Sequence, residues 1–372
     1  MTSNLYISAT RPGEGKTAIT LGIMAALQRR LPNIGFIKPV GHRDIERRYL
    51  SIDVDTLLVA KVCNLHSNLQ DSSPVTLDPG FPDRFLAEEE RQQAIGEIIG
   101  SFQRVAEGRD FVVIEGSGHA AVGHNLGLSN GFLASLMQAK MLLVTSGALQ
   151  HPVDEIALNK VFLEQWGVPL LGVIINRVKP SDEPLINQYT RPVLADLGIE
   201  LLGVVPEMPE LIEPTMLEVR SEIDAEVFSG RSNLGNRPRR ILVGAMTAEN
   251  AFSRLEEAKP GNLMVTPGDR TDLILAGLLC HQRRLATDPT KNLLAGIVLT
   301  GGIAPHEAIR TLLRESELPV LLAKEDSFVT ASRIGEIVVR IDPADRARVK
   351  LIIDTIARCV DVERLLAQLA ED

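Results

Sequence analysis

The chain has 372 residues, 45% of them hydrophobic, and a formal charge of −9, long enough to bury the cores of about two domains without covalent staples. Its acidity disfavours a polyanionic partner, since nucleic-acid binders carry a net basic surface or stripe, and the pairs Arg29-Arg30, Arg47-Arg48, Arg239-Arg240 and Arg283-Arg284 are short and scattered, as solvated faces are. Cys63, Cys280 and Cys359 include no CxxC pair, which argues against a disulfide framework or structural zinc, and with neither a basic-then-apolar leader nor ~18 uninterrupted apolar residues a cytoplasmic protein without membrane attachment is expected.

From the beginning, short apolar, β-branched runs alternate with stretches of helical period, the pattern of βαβ units in a parallel sheet. Strands are predicted at 5–9, 34–37, 111–114, 141–144, 170–175 and 201–205, with helices at 16–30, 54–62, 85–107, 129–138, 153–166 and 183–197. They make one α/β domain of nucleotide-binding size, 1–215. Pro206, Pro209 and Pro214 then punctuate the chain, and SGRSNLGNRPRR is polar and poor in apolar residues, so 216–239 reads as a linker, with one short helix before the polar run. A second alternation follows, with strands at 241–243, 263–266, 295–299 and 320–322 and helices at 273–285, 306–314 and 345–369. It makes a smaller α/β domain, 240–372, ending in a helix.

The segment Ala9-Thr10-Arg11-Pro12-Gly13-Glu14-Gly15-Lys16-Thr17-Ala18 follows the first predicted strand and opens the first helix. Backbone N–H groups at a helix N-terminus carry partial positive charge and can surround phosphate oxygens. Gly13 and Gly15 permit the dihedrals of such a nest, Lys16 can reach the β/γ-phosphates, and the Thr17 hydroxyl can ligate Mg²⁺. Thr10 to Ala18 is therefore the predicted site for ATP with Mg²⁺. The strict G-x-x-x-x-G-K-[ST] pattern would need glycine at Thr10; the small residue Ala9 lies one position earlier. Arg11 stands four residues before Gly15, where MinD-like P-loop proteins carry a lysine that reaches across a dimer, so it reads either as a phosphate clamp or as an exposed loop arginine.

Mg²⁺ prefers carboxylate and water oxygens around bound phosphates, which gives weight to acids at the carboxyl ends of neighbouring strands. Glu115 follows the run Phe-Val-Val-Ile and precedes Gly116-Ser117-Gly118-His119. Asp53 and Asp55 either supply a second carboxylate or cap the helix beginning at Val54, with Asp55 preferred as the ligand. Lys38 ends the second strand, where an ammonium can neutralise a transferring group. Asn176 and Arg177 follow the fifth strand, a usual place for an amide that reads the nucleotide base. His119 and His124 read as loop histidines.

Together these residues resemble the dethiobiotin synthetase branch of P-loop proteins: the T-x-x-x-x-GKT loop, KPV, EG-x-G and N-[KR]-V, in that order over roughly the first 215 residues. IEGSGHAAVG, the following LSN, the Pro152 to Lys160 stretch and LGVVPEMPEL to PTM are similar to the amino-terminal region of long phosphotransacetylases. In those proteins a DRTGG domain follows, and here Gly268-Asp269-Arg270-Thr271-Asp272 and Thr300-Gly301-Gly302 sit suitably apart. The resemblance implies a P-loop NTPase-like, mostly parallel sheet with helices on both faces, then a regulatory α/β domain in which Asp269, Arg270, Thr300, Gly301 and Gly302 hold a small effector or merely support a turn. An acetyltransferase catalytic domain would need some hundreds of further residues, so acetyl transfer by this chain alone is not expected.

Two functions follow as expectations. The first is a regulatory module, a homodimer that binds Mg²⁺ and ATP and senses a metabolite through the second domain. The alternative is an ATP-dependent ligase acting on a small carboxylate or amine, with Lys16 and Lys38 as its catalytic lysines.

Overall fold

The computed structural model describes residues 4–42, 52–77, 88–147, 152–288, 292–337 and 339–371. Arg43, Arg47, Arg48 and residues 85–87 of the third predicted helix lie outside them. The chain divides into one unit of residues 1–207 with 341–372 and a second of residues 208–340.

The first unit contains strands β1 (Asn4–Ala9), β2 (Ile34–Ile37), β3 (Val40–His42), β4 (Val75–Leu77), β5 (Phe111–Glu115), β6 (Ala139–Ser146), β7 (Leu170–Val178) and β8 (Leu201–Pro206). Six form a parallel sheet in the order β2-β5-β1-β6-β7-β8. The strands read as near-continuous apolar runs because both faces are covered: Leu5 and Ile7, like Tyr6, are fully buried. All six predicted main-sheet strands are present. The sequence reading missed β3 and β4, which pair in parallel as a separate two-stranded sheet.

The predicted helix 183–197 is not continuous. A short turn at Glu183–Leu185 passes into a π-helical segment, Ile186–Thr190, before Arg191–Asp196. Pro192 cannot donate a backbone hydrogen bond, so a wider turn meets the chain there.

The boundary expected at 216–239 is a correction. Helix Met216–Glu222 opens with a capping box in which Thr215 accepts from the Glu218 amide and Glu218 accepts from the Thr215 amide, and it buries Met216 and Val219. Strand β9 (Glu226–Ser229) then pairs antiparallel with the last strand of the second sheet. The polar run that follows is tied down by its amides, with Asn233 Nδ2 donating to Glu317 O and Asn236 Nδ2 to Ala295 O. Polarity here serves hydrogen bonds to the sheet rather than flexibility.

The second sheet holds β10 (Arg240–Val243), β11 (Asn262–Pro267), β12 (Leu294–Thr300) and β13 (Val320–Leu322) in the order β10-β11-β12-β13-β9. Helices Ala248–Glu257, Thr271–Thr287 and Glu307–Glu315 bury Leu255, Ile274, Leu278, Ile309 and Leu313 on one face; Met216–Glu222 and Ser327–Gly335 pack Val219 and Ile334 on the other.

The chain end is a second correction. Residues 345–369, predicted as one helix of the second domain, form two, Arg346–Cys359 and Val362–Ala370, separated where Asp361 caps the second by accepting from the Arg364 amide. Both belong to the first unit. Gly203 bridges Val360, the Asp361 amide donates to Leu202 O at 2.8 Å, and Arg364 Nε lies 3.0 Å from both Glu200 oxygens. A Cβ on Gly22 would fall 2.4 Å from Ile356 Cβ, so glycine lets the helix after β1 lie against the carboxyl-terminal one.

Candidate functional site

The loop after β1 is anchored at its start and open at its end. The Ala9 amide donates to Gly118 O and the Thr10 amide to Val144 O, while Thr10 Oγ1 donates to Thr145 Oγ1 at 2.9 Å. This explains how a buried threonine stands where the strict pattern has glycine: it is locked to the neighbouring strand, and its φ is not positive. Gly13 and Gly15 do need left-handed φ, +83° and +80°. Gly15 is the N-cap of the 13-residue helix Lys16–Gln28. Among the described residues the amides of Gly13, Glu14, Gly15, Lys16 and Thr17 have no acceptor. Five N–H groups therefore converge at the positive end of a helix without an internal partner.

Behind the loop sits a charge cluster drawn from two strand ends and a helix N-terminus. Lys38, 4% exposed, donates through Nζ to Asp53 Oδ1 at 2.9 Å and to Asp55, and lies 3.7 Å from Glu115 Oε1. Burial alone would lower its pKa, but Asp55, Glu115 and Asp53 together outweigh that and raise it. Asp53 also caps helix Val54–Val62 by accepting from the Asp55 amide at 2.8 Å, so both readings of this pair hold at once: Asp53 caps, and Asp55 faces the cluster. Gly41 makes room for it, since a Cβ there would lie 2.6 Å from Asp53 Cβ.

Thr17 Oγ1 donates to Glu115 Oε1 at 3.1 Å. Glu115 is completely buried, and its Oε2 has no hydrogen bond of good geometry; burial, then the nearby Asp55 charge, raises its pKa against the pull of Lys38 and Lys16. Asp55 runs the other way: burial opposes its charge, but Lys38, Lys16 and the adjacent Thr17 hydroxyl hold it below the ordinary range. Lys16 is half-buried, and desolvation lowers its pKa more than Glu115 and the other acids restore it. The structure thus brings Lys16, Thr17, Lys38, Asp55 and Glu115 together. Among the described residues no three acids or histidines form a ready metal cage.

Asn176 is built into the loop. Its Nδ2 donates to Glu14 O at 2.8 Å, and a Cβ on Gly15 would lie 2.5 Å from that nitrogen. One N–H of its amide is thereby engaged with the loop backbone. Arg177, with φ +56°, has Nε 3.7 Å from the same point above Gly15. Strained, non-glycine backbone of this kind persists where surrounding structure enforces it. Arg11 is exposed and ion-paired with Glu155 on helix Pro152–Gln165, which gives it a partner outside the nest. Glu14 is buried, its pKa raised chiefly by desolvation against the pull of Arg177 and Arg11.

Two organising residues were quoted in motifs without being given a role. Asn130 Nδ2 donates to Ser117 O and His119 O, and its Oδ1 accepts from Tyr6 Oη and the Ser117 amide. Asn159 Oδ1 accepts from the Ala120 amide at 2.8 Å. They fix the glycine-rich loop after β5. A buried asparagine in an apolar helix start was the available signal, because such an amide must be satisfied. His119 Nδ1 accepts from the Ala121 amide and His124 packs edge-on to Phe162.

In the second unit, the residues singled out from sequence use their polar groups on one another's elements. Arg270 makes paired 2.9 Å bonds to Asp272 and a third to Met246 O. Asp269 O accepts from the Thr271 amide. Thr300 Oγ1 pairs with Ser327 Oγ at 2.7 Å, the Gly301 amide donates to Glu325 O and the Gly302 amide to Ala323 O.

A family profile described as AAA domain matches residues 3–215, and one described as DRTGG domain matches residues 218–337. The curated relatives include the phosphate acetyltransferases of Pseudomonas putida, 30% identical over 378 residues and covering 96% of this chain and 50% of the relative, and of Deinococcus radiodurans, 30% identical over 379 residues and covering 98% and 51%. The chain spans about half the length of the curated relatives it matches. Among solved structures it is similar to the MinD cell division protein of Aquifex aeolicus, 18% identical over 56% of this chain and 84% of that one with a TM-score of 0.33, a likeness too slight to bear on function. No described helix is long and apolar enough to cross a membrane.

Proposed function

The chain belongs to the AAA-domain family and carries a DRTGG domain, and from that premise we propose that it is a nucleotide-binding regulatory module: Mg²⁺ and ATP bind the first domain, and the second responds to a small effector. The observation that carries this reading is the nest of five unpartnered amides from Gly13 to Thr17. Backbone donors that no carbonyl accepts, set at a helix N-terminus around two left-handed glycines, suit the β- and γ-phosphates.

The residues fit the metal as well as the nucleotide. Mg²⁺ is bound through one or two protein oxygens plus phosphates rather than in an all-protein cage, which agrees with Thr17, Asp55 and Glu115 standing close while Glu115 Oε2 is buried without a good partner. When bound, the metal supplies positive charge between the phosphate oxygens. The chain's own part is to hold that geometry: Asn176 fixes the peptide after Glu14, Lys16 offers an ammonium to the phosphates, and Lys38 offsets the mutual repulsion of the acids around it.

Lys38 also favours regulation over ligation. Its ammonium already donates to Asp53 and Asp55 and faces Glu115, so it is engaged in holding the site rather than free to receive a transferring group. Phosphate release that rises with a defined carboxylate or amine would restore the ligase reading. The direct experiment is calorimetric titration with Mg²⁺·ATP and with Mg²⁺·GTP on wild type and Lys16→Ala. Heat in wild type and its loss in the variant are expected; no heat from either nucleotide in wild type overturns the proposal. Light scattering with and without nucleotide tests the homodimer that the module is expected to form.

A further inference from the structure

Strand order divides the surroundings of the phosphate loop into two halves. Glu115 ends β5 and Lys38 follows β2, both on one side of β1, and with Thr17 and Asp55 they form the end of the site that suits Mg²⁺ and the terminal phosphates. On the other side of β1, beyond β6, strand β7 brings Asn176 and Arg177 to the same edge of the sheet. A nucleotide held by its terminal phosphates beside the acids leads its nucleoside the opposite way, towards β7.

A break in the sheet aims Arg177 at that half. Ile175 of β7 pairs with Val204 of β8, but the next pair is Val178 with Pro206, so two residues of β7 stand opposite one of β8. A bulge of this kind re-aims a side chain, and Arg177 takes a left-handed φ of +56°, uncommon for any residue but glycine. Its side chain is thereby laid against the loop, with Nε 3.7 Å from where a Cβ on Gly15 would stand. The residue is half-buried, and its guanidinium makes no hydrogen bond or ion pair among the described residues. Its charge is opposed by the buried Glu14 carboxylate nearby. A cation already balanced in this way is a weak clamp for another phosphate, and what it still offers is the flat face of its guanidinium.

We propose that Arg177 is the platform on which the nucleobase rests, its guanidinium stacked on the ring face, so that the bulge in β7 sets affinity for the base while the loop amides and Lys16 set affinity for the phosphates. Stacking of arginine on an aromatic face combines dispersion with attraction between the cation and the ring's electron density. The inference rests on the nucleotide-binding reading of the loop and deepens it by assigning the nucleoside half of the site to one side chain.

The test is calorimetric titration of the full chain with two magnesium-loaded ligands, ATP and ribose 5-triphosphate, which lacks the base. The variants are Arg177→Asn, since asparagine tolerates left-handed φ, and Arg177→Lys, which keeps the charge and loses the flat face. Wild type should bind ATP more tightly than ribose 5-triphosphate. Arg177→Asn should weaken ATP about tenfold and leave ribose 5-triphosphate unchanged, the second result also showing that the loop is still folded. Arg177→Lys should recover little of the loss. Equal weakening of both ligands would make Arg177 a contact to sugar or phosphate and overturn the proposal, as would unchanged ATP affinity in Arg177→Asn or full recovery in Arg177→Lys. Wild type that binds both ligands equally overturns the platform alone and leaves the phosphate loop standing; wild type that binds neither overturns both readings.

Discussion

The carboxyl edges of the two sheets are made alike, a parallel strand, a glycine turn and a helix, yet their amides have opposite fates. After β1, the N–H groups of Gly13 to Thr17 have no acceptor among the described residues. After β12, the amides of Gly301 and Gly302, also at left-handed φ, donate to Glu325 and Ala323 carbonyls. Glycine gives a turn its shape in both places; only the absence of an internal acceptor makes it a receptor for an anion. The same contrast holds for side chains, since Lys38, Asp53 and Glu115 behind the first loop are buried, whereas Arg270 pairs with Asp272 at the surface.

The largest expected effect tests the buried half of that contrast. Lys38→Ala leaves Asp53 and Glu115 buried without their cation, a change that costs about 3–5 kcal/mol when one partner of a buried pair is removed, to be read from urea denaturation. Next is the pair Gly15→Ala and Gly301→Ala. The first puts a Cβ 2.5 Å from Asn176 Nδ2 at φ +80° and should weaken Mg²⁺·ATP binding about 100-fold or more, roughly 2.7 kcal/mol. The second should leave nucleotide affinity unchanged; equal losses in calorimetry would erase the distinction between the two edges.

Gly22→Ala drives a Cβ into Ile356. Overpacking of this kind costs typically ~1–3 kcal/mol, and limited proteolysis should release 341–372 first; an unchanged digestion pattern would mean the carboxyl-terminal helices do not depend on that contact. A smaller change is expected from Thr300→Val, which removes the hydroxyl pair with Ser327 and should cost about 0.5–1.5 kcal/mol without altering nucleotide binding.

The last prediction concerns Lys16, whose folded pKa is lowered mainly by desolvation. A lysine with a depressed folded pKa is destabilising at neutral pH, and that penalty is relieved as pH rises from the folded toward the unfolded value. Lys16→Met should therefore stabilise the nucleotide-free protein at pH 7, with the gain shrinking as pH approaches 10.5, even as it removes ATP binding. A stability loss at pH 7 in thermal melts would show the ammonium to be favoured by its acids instead.

The sequence alone determined the alternation of strands and helices and the position of the phosphate loop, because apolar runs, glycines and Lys16-Thr17 are local signals whose meaning needs only a strand before and a helix after. It also marked Lys38 and Glu115 as strand-end residues, since each follows a readable apolar run. Tertiary structure decided the rest. That Asn130 and Asn159 hold the glycine-rich loop, that 216–239 completes the second unit, and that 346–370 returns to the first all rest on pairings between distant residues, such as Tyr6 with Asn130 and Gly22 beside Ile356. A polar segment has the same composition whether its amides face water or a sheet edge, and an isolated helix has no preference between two sheets until one offers a glycine groove of the right depth.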